Sequence, residues 1–219
     1  MDWTQVDNYC ERLGPGFWAE PLNAATNAAF VIAALVVWAI LGGKRDPGAR
    51  VLAAILFAIG VGSFLFHTYA TRWAGLADVL PILLFILAYV YLATRRFLGA
   101  GVILSGAAVL LFFPFSWAVT QGIGSITGPL NGSLSYLPVP ILILVYAAVV
   151  WRAAPLTARG LAIGAGILIL SLFFRTVDAA VCGVLPIGTH FLWHSLNALM
   201  LGWMILVLHT HLPAERRAG

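Results

Sequence analysis

Residues 97–151 form a stretch of 55 residues without one charged side chain. Such a run cannot face water along its length, because a soluble surface draws on charges that make up roughly a quarter of an ordinary domain. A helix crossing the bilayer core takes about 20 mostly apolar residues, so this run holds two spans and a connection. Gly, Ser, Asn and Pro concentrate at 120–138, which predicts the connecting loop there. The other charges divide the chain in the same manner. Residues 21–43 and 51–71 are charge-free, and 79–94 follow Asp78. A shorter apolar run, 160–174, is closed by Arg175, which can snorkel, and the last span is predicted at 189–209. The reading is an all-α integral membrane protein, a seven transmembrane helix bundle forming a single domain over 1–219. Continuous rather than alternating apolar segments exclude a transmembrane barrel. Charged residues are 9% of the chain and mean hydropathy is +0.98, which excludes a soluble globule, a disordered chain and a nucleic-acid module. No nucleic acid and no obligate protein partner is implied. The two cysteines are too few for a disulfide scaffold or a Cys-rich metal site.

Orientation follows from the basic residues. Loops after spans 1, 3 and 5, with the tail, carry Lys44, Arg45, Arg50, Arg95, Arg96, Arg152, Arg159, Arg216 and Arg217; the opposite side carries Arg12, Arg72 and Arg175. This puts the N-terminus outside, with 1–20 extracytoplasmic, and 211–219 as a cytoplasmic tail. The first 20 residues lack a basic n-region and hold Asp2, Asp7, Glu11 and Glu20, so they are not read as a cleavable signal peptide. Short loops rich in Ala, Gly and Leu point to a bacterial inner membrane.

On that topology the ionisable residues collect on one face. His67 ends span 2, Asp78 begins span 3, His190 and His194 begin span 7, and Glu11 and Glu20 precede span 1. Ionisable groups at membrane depth are expensive and are functional candidates. His190 and His194 are i,i+4 and share a helix face, the spacing that lets two imidazoles reach one metal. His67 would be a third ligand, and three histidines leave one tetrahedral position open, as in catalytic zinc sites. Asp78 beside such a site can act as general base or hold a ligand imidazole. Ser63, one turn from His67, can donate to an oxyanion. The plainer readings stay open. A lone intramembrane His often bonds a neighbouring helix, Ser63 can bond its own helix carbonyl, and Asp78 can cap span 3. Arg175 and Asp178, i,i+3, can pair with each other. His209 and His211 read as interfacial. A haem site is disfavoured, since His190 and His194 on one face cannot serve one haem.

Ser63-x-x-x-His67, Asp78 after 11 residues and His190-x-x-x-His194 on the last of seven helices resemble the alkaline ceramidases. These sit in a superfamily with the adiponectin and progestin receptors, whose orientation is reversed. Phe17-Trp18-Ala19-Glu20-Pro21-Leu22-Asn23, followed by Thr26-Asn27, resembles the start of that family's first helix. The resemblance implies zinc on His67, His190 and His194, a water oriented or deprotonated by Asp78, and an oxyanion helped by Ser63. It implies hydrolysis of the N-acyl amide of ceramide or a related lipid, giving a sphingoid base and a fatty acid. It further implies a calcium site in the acidic N-terminal segment, with Asp7, Glu11 and Glu20 as ligands, against the alternative of a solvated pre-helical segment. The family's acidic run here reads Asn8-Tyr9-Cys10-Glu11. A Cys10–Cys182 disulfide is implied too, in an oxidising compartment. A receptor-like or sensor protein keeping the zinc but turning over little carries the same residues.

Overall fold

The computed structural model describes residues 2–6, 8–43 and 45–211. Among the described residues, eight α-helices make seven spans: α1 (Pro21–Thr26) with α2 (Ala28–Leu41), then α3 (Pro47–Tyr69), α4 (Arg72–Phe97) and α5 (Val102–Thr127). A 3₁₀ turn at Leu130–Tyr136 leads into α6 (Pro138–Val150), followed by α7 (Pro155–Val181) and α8 (His190–Thr210). Each span is long and apolar enough to cross a bilayer, so the chain is a multi-pass membrane protein.

Local chemistry sets several boundaries. Prolines open α1, α3, α6 and α7, where a missing N–H removes nothing from the helix. Asp46 caps α3 by accepting from Ala49 N at 3.0 Å. The apolar faces that α5 turns outward, with Ile103 90% and Ile126 86% exposed, have lipid as their solvent. Inside, Leu41, Leu52, Leu56, Ile59, Leu161 and Ile205 are fully buried, and α8 packs against α2, α3 and α7 at the centre.

Three spans differ from the sequence expectation. The third starts at Arg72, not 79, because Thr71 is extended and the helix accommodates Asp78 in its second turn. Asp78 is therefore not its cap. The sixth runs from Pro155 to Val181, with Arg175 and Asp178 inside it. The expected 120–138 loop shrinks to 128–137, since α5 stays helical through Gly122 and Gly124.

Helices α3 and α4 approach closely at Gly62, where an added Cβ would collide with the Ala77 backbone carbonyl. Only glycine lets two backbones come that near. Gly62→Ala is expected to cost about 1–3 kcal/mol, the scale of overpacking. The midpoint of detergent-phase thermal unfolding should fall with it; an unchanged midpoint would refute the close approach.

At the end of the bundle away from the N-terminal segment, Asp46 ties three helices. Arg96 donates to both its oxygens, at 2.8 and 2.5 Å, and His209 Nδ1 lies 2.8 Å from Oδ2. The Arg96 hydrogen bonds, against burial, hold the Asp46 carboxyl below its ordinary range. A depressed folded value means stability that is present above the unfolded pKa of about 3.9 and lost as pH falls through the folded one. Asp46→Asn should lower the unfolding midpoint at pH 7, and the gap from wild type should close as pH drops below about 4. A constant gap would contradict this.

Candidate metal centre and active site

Three imidazoles meet where α3 ends and α8 begins. His67 lies in the last turn of α3; His190 and His194 occupy the first two turns of α8. Their exposures are 1%, 2% and 1%, and one ligand atom from each lies within 4.8 Å of the others. His67 Nε2, His190 Nδ1 and His194 Nε2 have no hydrogen-bond partner among the described residues. Buried polar atoms are rarely left so, and three converging imidazole nitrogens are a donor set that fits a metal ion such as zinc.

The other ring nitrogens of two histidines are held. His67 Nδ1 lies 2.6 Å from Glu20 Oε2, and His194 Nδ1 lies 3.0 Å from Thr26 Oγ1. The Thr26 hydroxyl donates to Leu22 O and Asn23 O, so it accepts from His194 Nδ1–H. A carboxylate likewise accepts from His67 Nδ1–H. Both rings are then the tautomer whose Nε2 keeps a free lone pair, the form a metal needs. Tyr9 stacks on His190 with ring centroids 3.8 Å apart. Thr189 N and His190 N donate to Asp178 Oδ1 at 2.6 and 2.9 Å, and Cys10 N to Oδ2 at 3.2 Å. A carboxylate from α7 thereby anchors the start of α8. Cys10 and Cys182 lie at disulfide-bonding distance, Cα to Cα 5.2 Å, which fastens the N-terminal segment beside this anchor.

Asp78 is half-buried beside the trio, where it interacts with the Ser63 hydroxyl and with His67, while its Oδ1 is buried without a hydrogen-bond partner among the described residues. It stands between two hollows. An open one of about 1160 Å³ is lined by Tyr9, Arg72, Asp78, Arg175 and His190. A narrow, mostly apolar one is lined by Ser63, Asp78, Ile86, Val139 and Met200. Ile86, Val139 and Met200 also line a further narrow apolar space that reaches Phe97 and Phe112. A polar mouth and an apolar chamber thus meet at Asp78.

The expected residues Ser63, His67, Asp78, His190 and His194 come together. Glu11 and Glu20 are buried, so these two side chains are not solvated, although much of the segment around them is exposed. Every carboxylate oxygen of the pair accepts from protein. Glu11 takes Leu22 N and Asn23 N, at 2.7 and 2.8 Å; Glu20 takes Arg12 Nε at 2.5 Å, His67 Nδ1, and Asn23 Nδ2 at 3.1 Å. This pair does not fit calcium as a free ligand set. Asp7 lies outside the described residues. Arg175 and Asp178 do not pair. Asp178 turns to α8, whereas Arg175 donates to Asn131 O at 2.7 Å and lies over Tyr136 and Trp193. Thr26, Tyr9, Arg12 and Asp178 were not anticipated as parts of the site. Thr26 stands within the quoted Glu20-to-Asn27 stretch, so a signal existed for it.

A search among curated proteins returned no match for this sequence. The family model described as Ceramidase matches residues 7–214, nearly the whole chain and all five converging residues. The chain therefore belongs to the ceramidase family.

Proposed function

We propose that the chain is a zinc-dependent membrane amidase that splits the N-acyl amide of ceramide or a related lipid into a sphingoid base and a fatty acid. The observation that carries the reading is the buried trio of histidines with three unpartnered ring nitrogens, set beside Asp78. A zinc ion, when bound, supplies Lewis acidity and acidifies water at the site. His67, His190 and His194 would hold it, with Glu20 and Thr26 fixing two of the rings. Asp78 Oδ1, free of other partners, accepts the proton of the attacking water and returns it to the leaving amine nitrogen as the C–N bond breaks. The Ser63 hydroxyl donates to the acyl oxygen as charge gathers there. The apolar chamber takes a hydrocarbon chain, and the mouth takes the polar head. The substrate enters sideways from the bilayer.

The basic residues support an N-outside orientation, with the site toward the periplasmic face of a bacterial inner membrane. The Cys10–Cys182 pairing suits an oxidising side. The test is release of a sphingoid base from a ceramide by detergent-purified protein, before and after zinc removal. Turnover that disappears with the metal and returns with zinc is expected. Zinc bound without hydrolysis across several N-acyl lipids would replace the amidase with a sensor.

A further inference from the structure

We propose that the Arg12 guanidinium is the resident cation of the N-terminal acidic cluster, occupying the role of a calcium ion and positioning His67. Arg12 is 5% exposed. Its Nε donates to Glu20 Oε1 at 2.5 Å, Nη1 to Gly14 O at 3.0 Å and Nη2 to the His67 backbone O at 3.1 Å. One planar fork therefore grips both the backbone of a proposed metal ligand and the carboxylate that orients its ring. Glu20 completes the link by holding His67 Nδ1 with its other oxygen.

Charge and donor count point the same way. A buried carboxylate needs a compensating positive group, and Arg12 supplies one in hydrogen-bonding contact. Glu11 is already satisfied by two backbone N–H groups at the start of the first span. Calcium takes 6–8 oxygen ligands. Near this cluster Asn23 Oδ1 is an oxygen without a partner among the described residues, but the carboxylates of Glu11 and Glu20 are engaged. A guanidinium is always charged and geometrically fixed, so the His67 support does not depend on a diffusible ion. Arg12 is a positioning residue that acts through Glu20 and His67.

The inference deepens the zinc reading and rests on it for its effect on the metal, so the experiment separates the two. Wild-type protein is placed in zinc-containing buffer, stripped of calcium by resin and then titrated with calcium. Unfolding temperature and turnover should not move. A rise that saturates with calcium, as mass action requires of a ligand of the folded state, would overturn the proposal. In a second arm, zinc retention is measured against a chromophoric chelator. Arg12→Gln should lose zinc affinity by roughly 10–100-fold, the usual scale for outer partners of a metal ligand. It should also alter the visible bands of the cobalt-substituted protein, Arg12→Lys should recover part of the loss, and exposed Arg159→Gln should match wild type. A folded Arg12→Gln with wild-type zinc affinity and cobalt spectrum would overturn it. If Arg12→Gln does not fold, the calcium titration decides alone. Absence of zinc from wild type would refute the zinc reading, and the calcium titration would still test who neutralises Glu20.

Discussion

His194→Ala is expected to remove the metal and the hydrolase activity together. The loss should exceed the 10–100-fold range typical of changes to outer partners, so at least about a hundredfold is expected. His194 contributes a free Nε2 from the second turn of α8, and its Nδ1 is already committed to Thr26. No other described side chain is poised to take its place in the trio, and two ligands cannot define a catalytic zinc site. His209→Gln, at the far end of the same helix, should keep the zinc. Metal content and turnover measured on both variants check this. Full activity in a zinc-free His194→Ala protein would remove the metal from the mechanism.

Asp78→Asn is expected to separate chemistry from metal binding. The amide keeps the shape and the Ser63 contact but cannot accept a proton. Turnover should fall by about 10²–10⁴-fold, the span associated with a positioned general base. Zinc content should stay at the wild-type level, because Asp78 is not among the trio. Ser63→Ala should give a smaller fall, again with zinc retained. Loss of zinc on Asp78→Asn would recast Asp78 as a support for the metal.

The order and number of the spans were legible because charges are so scarce that they punctuate the sequence. The boundaries were less so, for the same reason. The charge pattern places Asp78 and Arg175 at helix ends, yet both lie inside helices, half-buried among partners. Glycines at 122 and 124 read as loop, although intramembrane helices tolerate them. The metal trio was legible because i,i+4 spacing on one helix is a local signal. Its supporting shell was not. Tyr9, Arg12 and Glu20 reach His190 and His67 only because the N-terminal segment folds back over the bundle. There Val6 N bonds Ala70 O, and Cys10 lies at bonding distance from Cys182. Contacts between residues 47 to 181 positions apart leave no periodic trace. Glu20, which the resemblance made a calcium ligand, holds a histidine and an arginine.

The most direct test of the account is zinc analysis with zinc-edge X-ray absorption on wild-type protein purified without added metal. The account predicts about one zinc per chain, with a first shell of three imidazole nitrogens and one oxygen. Protein that is folded and free of zinc, or zinc whose shell is unchanged when His67 or His190 is replaced, would contradict it.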